Sequence, residues 1–251
     1  MIGKLDLEAQ DLAKEEEVQF INAVHNYRYE RKFTIPDNLS IKTIEQSIKR
    51  NRYLFRQVFH QRQVNNIYFD TPDYRNYFDN VLGVSNRKKF RIRWYGDTFG
   101  KIKTPVLEIK IKKGLVGDKW SYKLDPFTLN SDFTNAYIQD VLKKSSLPAP
   151  VLESLKLVSP TLLNSYNRRY YLSADNRFRV TLDFNLLYHK IDKRFNNFQL
   201  KSVKDENKIV ELKYRLEDDS EASAVTTQFP FRLNKSSKYL NGVNTIKRFP
   251  Q

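Results

Sequence analysis

Cysteine is absent from this 251-residue chain, and histidine occurs three times, at His25, His60 and His189. The first absence excludes disulfides, thiolate metal centres and a cysteine nucleophile. The scarcity of histidine, with no H-x-x-x-H pair, argues against a zinc site. No Gly-rich phosphate loop of the Walker type is present, which sets aside a P-loop ATPase. No spacing assembles a Ser-His-Asp triad. No apolar run approaches the roughly 20 residues that a membrane helix requires. The amino terminus lacks the basic-then-apolar layout of a signal peptide. The expectation is a soluble, cytoplasmic protein without a transmembrane segment.

Positive charge is what the chain has in excess. The formal net charge is +15, while 40% hydrophobic and 14% aromatic residues provide for a folded core. Such an imbalance points to an acidic partner: nucleic acid, anionic lipid or polyphosphate. The amino-terminal segment runs the other way. Asp6, Glu8, Asp11, Glu15, Glu16 and Glu17 outnumber Lys4 and Lys14, so the remainder is more basic still.

The charges are phased. Arg28, Glu30 and Lys32 stand two apart, as do Lys89, Arg91 and Arg93, then Glu108, Lys110 and Lys112. The spacing returns at Arg177, Arg179 and Asp183, and at Glu211, Lys213 and Arg215. Alternate side chains of a strand share a face, so each set occupies one face while Phe90, Ile92 and Trp94, or Val180, Leu182 and Phe184, occupy the other. With Arg168, the charged lane holds twelve cations against the four acids Glu30, Glu108, Asp183 and Glu211. A solvent-facing lane ordinarily mixes signs so that cross-strand neighbours attract. A cationic excess on five or six strands repels itself unless an anion is bound, and arginine offers the planar fork that suits phosphate. The pattern therefore predicts apolar faces turned outward beneath helices and charged faces lining a wet interior.

Along the chain, the pattern predicts a helix over 4–21 and a strand over 27–35 that stops at Pro36. It predicts a helix from the Ser40 cap to about Asn51, a short strand over 66–70 and a short helix over 74–80. Strands follow at 87–95, 106–113 and 120–124, with a loop at 96–104 and a turn at 114–117. Residues 126–145 read as helix, and Pro148 and Pro150 as interruptions. A hairpin spans 164–172 and 177–189, a basic irregular connection 190–207, a last long strand 208–216, and a short helix or turn 232–241. No internal repeat is found.

Several runs resemble those of the vacuolar transporter chaperone (VTC) domain. They are Tyr29-Glu30-Arg31-Lys32-Phe33, Asn66-Ile67-Tyr68-Phe69-Asp70 and Phe90-Arg91-Ile92-Arg93-Trp94-Tyr95-Gly96, then Leu107-Glu108-Ile109-Lys110, Tyr166-Asn167-Arg168, Arg179-Val180-Thr181-Leu182-Asp183, Glu211-Leu212-Lys213 and Lys235-Ser236-Ser237-Lys238-Tyr239-Leu240. The matches fall in order over about residues 25–243. The resemblance implies an α+β triphosphate tunnel fold: an eight-stranded antiparallel β-barrel with a charged interior, surrounded by helices. Residues 25–251 would form it, with 1–24 as an amino-terminal helix packed on or flanking the barrel.

The resemblance also implies a polyphosphate polymerase that extends a chain from ATP with Mn2+ or Mg2+, and it assigns residues. Arg91, Arg93, Lys110, Arg168 and Arg179 clamp the triphosphate, and Lys32, Lys235 and Lys238 guide the substrate. Lane position adds Lys112 and Lys213 to the substrate-binding set. The resemblance gives Glu211 as the metal-holding acid, and Glu108, an acid of the same lane, is expected to help it. The triphosphatase and cyclase branch of the wider superfamily opens with E-x-E-x-K, whereas this chain reads Arg28-x-Glu30-x-Lys32, which argues against hydrolysis of that type. The alternatives are an inorganic triphosphatase and a module that binds polyphosphate without extending it. Nucleic acid is not the expected partner. A membrane-protein partner and the oligomeric state stay open.

Overall fold

Side chains alternating between charge and hydrocarbon can satisfy both only in a sheet with one wet and one dry face, and this chain builds such a sheet. The computed structural model describes residues 28–113, 116–192, 195–198 and 202–247. The helix expected over 4–21, the segment 1–24 and part of the 114–117 turn lie outside them. The chain runs through β1 (Arg28–Ile35), α1 (Ile41–Lys49), β2 (Arg56–Asp70), α2 (Arg75–Val81) and β3 (Arg87–Tyr95). It continues through β4 (Gly100–Ile102), β5 (Val106–Lys113), β6 (Val116–Lys123), β7 (Phe127–Leu129), α3 (Asn135–Lys144) and α4 (Ala149–Lys156). The last part comprises β8 (Ser159–Leu172), β9 (Arg179–Lys190), β10 (Ser202–Asp205), β11 (Lys208–Arg215), α5 (Asp219–Thr226) and α6 (Lys238–Lys247).

Eight strands form one antiparallel path in the order β1-β11-β9-β8-β2-β3-β5-β6, with β10 added to β9. The path curls into a half-barrel. Lys110 of β5 reaches Glu30 of β1, 3.3 Å away, although the two strands stand near opposite ends of the path. Among the described residues the end strands β1 and β6 do not pair with each other. Part of the outer edge of β1 is covered instead by Leu233, which bridges to Phe33, and by Asn234, which bonds the backbone on either side of it.

The dry face lies outside, as the lanes require. Ile92, Trp94, Leu107 and Ile109 pack beneath Ile138 and Leu142 of α3 and Val151 and Leu155 of α4. Phe33, Val180, Leu182, Val210 and Leu212 pack beneath Ile44 and Ile48 of α1 and Ala222 and Val225 of α5. The Ser40 side chain caps α1 by accepting from the Thr43 amide at 3.1 Å. A third cluster sits on the concave face, where Tyr239 and Val243 of α6 meet Tyr68, Leu162, Tyr166, Leu186, Tyr188 and Ile209. Leu186 and Tyr188 turn inward because β9 changes phase at Asn185, whose φ of 54° is left-handed, next to a register shift in β8. Asparagine tolerates that conformation better than most residues.

Several elements differ from expectation. β2 is 15 residues long rather than the 66–70 stretch, because its first half is polar and interrupted by register shifts at Gln57, Phe59 and Arg62. The 96–104 loop contains β4, which pairs with β7 as a separate ribbon, so the helix expected from 126 begins only after the Thr134 cap. Pro148 and Pro150 begin α4 rather than interrupting the chain, since proline suits a helix's first turn. The last helix starts at Lys238 and runs to Lys247.

Candidate functional site

Register brings the inner lanes together. Arg91 pairs with Glu108 and Lys89 with Lys110 across β3 and β5. Arg168 pairs with Asp183 across β8 and β9, and Lys32 with Glu211 and Glu30 with Lys213 across β1 and β11. Each acid is then gripped by cations. Glu108 accepts from Arg91 at 2.5 and 2.7 Å and also faces Lys119 at 3.3 Å and Arg93 at 3.6 Å. Asp183, fully buried, takes both prongs of Arg168 at 2.5 and 2.7 Å and Lys238 at 2.5 Å. Glu30 touches Lys110, Lys213 and Lys32 at 3.3, 3.4 and 3.5 Å. Glu211 holds Lys213 at 3.0 Å.

These acids act as anchors. A long cationic side chain held by a carboxylate has fewer conformations to lose when an anion arrives, which is preorganisation. Burial works against the Glu108 carboxylate, but Arg91, Arg93 and Lys119 hold its pKa down to about 2. Burial and the neighbouring Glu211 work against Glu30, yet Lys213, Lys110 and Lys32 bring it to about 2. Burial likewise opposes ionisation of Glu211, and Lys213, Lys32 and Arg168 overcome it, leaving the pKa well below the usual value. All three stay ionised at neutral pH, and the cations still outnumber them.

Lys89 is the contrast. It is half-buried, has no ion pair among the described residues, and is pushed down to about 7 by burial and by Lys32, Arg87, Lys110 and Arg91. Burial also lowers Lys110, partly offset by Glu30. An anion entering here meets charge that the protein itself does not neutralise.

The structure brings Lys32, Arg91, Arg93, Lys110, Arg168, Lys213, Lys238, Glu108 and Glu211 into one connected concave cluster with Glu30 and Asp183. Arg179 stands opposite Lys213, exposed, and Lys112 opposite Arg87, half-buried. Lys235 is exposed in the segment leading to α6. Arg177 leaves the lane: Asp175, Asp218 and Glu221 hold it on the outside. Lys119 was missed, although its register partner is Lys110. So were the hydroxyls of Thr181, across from Glu211, and Ser236, whose carbonyl accepts from Lys32 at 3.5 Å. Both hydroxyls are buried without a hydrogen-bond partner among the described residues. His189 is structural, with Nδ1 against the Phe198 carbonyl at 2.8 Å.

A divalent ion fits beside Glu211 and Glu30. One ammonium, that of Lys213, already sits within 3.0 Å of one carboxylate and 3.4 Å of the other, so a cation is favoured there. Among the described residues no three His, Cys, Asp or Glu side chains gather as a metal cage. Magnesium-like ions commonly take one or two carboxylates and complete their shell with phosphate and water. Both oxygens of Glu108 are engaged by cations, as are both of Glu30, whereas Glu211 pairs through one oxygen only, so Glu211 is the carboxylate best placed to lead such a site.

The model of the VTC domain family matches residues 27–247. No curated protein matches the chain by sequence. Solved structures similar to it include a candidate adenylate cyclase from Vibrio parahaemolyticus, with 12% identity over 85% of this chain and 95% of that one and a TM-score of 0.47. A candidate adenylyl cyclase from Hippeastrum, described as having a dominant triphosphatase activity, shows 15% identity over 85% and 93% with a TM-score of 0.47. A Pyrococcus horikoshii protein shows 13% identity over 85% and 96% with a TM-score of 0.44. Among the described residues no helix is long and apolar enough to cross a membrane.

Proposed function

The chain belongs to the VTC domain family, and on that premise we propose that it is a polyphosphate polymerase, transferring the γ-phosphate of ATP to a growing phosphate chain. One observation carries the reading. Lys32, Arg91, Arg93, Lys110, Lys119, Arg168, Lys213 and Lys238, from six strands and one helix, converge on one concave face and are aimed by four acids. A solvent face does not anchor its cations this way.

Phosphoryl transfer needs positioning and charge where the transition state spreads it, and little covalent chemistry from protein. Arg91, Arg93, Lys110, Arg168 and Arg179 clamp the triphosphate from several walls. Lys32, Lys112, Lys213, Lys235 and Lys238 hold the incoming chain or the departing nucleotide. A terminal oxygen of the chain, ionised near neutral pH, attacks the γ-phosphorus in line. The bond from that phosphorus to the β,γ-bridging oxygen breaks, and ADP leaves with the electron pair. No protein base is needed. Mn2+ or Mg2+ at Glu211 and Glu30 would neutralise charge on phosphate oxygens.

The test is to incubate purified protein with ATP and either metal and size the product on a polyphosphate gel. Long chains with matching ADP support the reading. Orthophosphate without chains redirects it to a triphosphatase. Tight chain binding without ATP turnover redirects it to a binding module.

A further inference from the structure

The inner lane does not end at the cations. Tyr95 lies two residues beyond Arg93 on β3, and Tyr170 two beyond Arg168 on β8. Arg62, directly across from Arg168 in the β2–β8 register, continues the inner lane of Val64. These residues meet. The Arg62 guanidinium lies 4.8 Å from the Phe59 ring centre, 5.5 Å from Tyr95 and 5.6 Å from Tyr170, and Phe59 and Tyr170 stand edge to face at 5.7 Å. Arg62 has no carboxylate partner among the described residues. Phe59 and Tyr95 are each 51% exposed. A shallow cleft of about 380 Å³ opens beside them, lined in part by Gln61, Arg62, Gln63 and Tyr95.

We propose that Phe59, Arg62, Tyr95 and Tyr170 form a nucleobase subsite, stacking the purine of the nucleoside triphosphate at the rim while its phosphates run inward to Arg168 and Arg93. The inference rests on the polymerase reading and adds to it where the nucleoside sits. Its basis is chemical. A phosphate chain has no π face and gains nothing from half-exposed rings, whereas a base stacks on aromatic rings and on an arginine plane alike. The nucleoside is the one part of either substrate with such a face. Gln61 and Gln63 also border the cleft, but their amides are already engaged, Gln61 accepting from Arg169 at 3.0 Å and Gln63 donating to Thr98 at 2.7 Å, so the rings and Arg62 carry the recognition.

The experiment compares two probes by calorimetry: the β,γ-imido analogue of ATP, which resists transfer, and inorganic tripolyphosphate. The Phe59→Ala/Tyr95→Ala double variant is expected to bind the analogue about tenfold or more weaker, as befits one lost stacked base. Its tripolyphosphate affinity is expected to stay within twofold, which also shows that the variant folds. Phe59→Trp is expected to keep analogue binding. Equal losses for both probes, or no loss for either, overturn the proposal. Because neither probe requires turnover, a wild-type protein that makes no chains but loses base-dependent binding in the double variant would sink the polymerase reading and leave this subsite standing.

Discussion

Arg93 is only 15% exposed and is tied to Glu108 on one side and to the Asn66 amide oxygen, 3.0 Å away, on the other. Its guanidinium is therefore aimed before substrate arrives. Arg93→Ala is expected to lower polymerase turnover by about 10²-fold, the usual loss for one preorganised donor, with little change in melting temperature. Undiminished chain synthesis by this variant would remove Arg93 from the clamp. Lys89 makes a different prediction. A lysine held at about 7 is charged below that pH and neutral above it, and only its charged form attracts phosphate. Tripolyphosphate affinity should fall as pH rises through 7, by up to tenfold per pH unit, and Lys89→Met should flatten that slope. Calorimetry across pH 6 to 9 decides it; an unchanged slope in the variant refutes the assignment. The direction is set by burial and by the four neighbouring cations, with no carboxylate beside Lys89 to offset them as Glu30 partly does for Lys110. That contrast is what the sequence could not express. Period-two spacing placed Lys89 beside Arg91, but which cations share an acid depends on strand register. Glu30 was legible as a lane residue, whereas its place beside Glu211 needed β1 to lie against β11.

Among the described helices, α6 supplies a cation to the cluster. Lys238 at its start binds Asp183, Tyr239 donates to Asp70, and Gly242 faces the sheet. A Cβ at Gly242 would stand 2.5 Å from a Leu162 methyl and 2.6 Å from the buried Tyr188 ring. The methyl can swing aside; the ring is fully buried and cannot. Gly242→Ala is therefore expected to destabilise by about 1–3 kcal/mol, the cost of overpacking, despite alanine's better helix propensity. Urea denaturation measures this, and a more stable variant would mean that α6 packs more loosely than described. Elements with a strong alternating pattern, β1, β3, β5, β9 and β11, were legible because burial on one face alone fixes their phase. The first half of β2 and all of α5 were not. The former is exposed and held by cross-strand bonds rather than by an apolar lane, and the latter buries only Ala222 and Val225.

For the whole molecule, the excess of cations acts at long range as well as at the clamp. A field of one sign draws polyanions in faster, and salt screens it over about 10 Å at 0.1 M. Raising salt from roughly 50 to 200 mM should slow association of long polyphosphate several-fold and leave dissociation of tripolyphosphate nearly unchanged. Stopped-flow measurement separates the two rates. If dissociation carries the salt effect, the cluster binds mainly through screened, solvent-exposed contacts.

Among the described residues the edges of β1 and β6 are not joined by a backbone ladder; Leu233 and Asn234 cover part of the β1 edge, and the side-chain bond between Lys110 and Glu30 reaches across. A closed pipe obliges a polymer to thread end first, so escape slows as the polymer grows. A wall joined in part by side chains rather than by backbone would let a long chain leave sideways from its middle, so that under the polymerase proposal residence time need not grow with length.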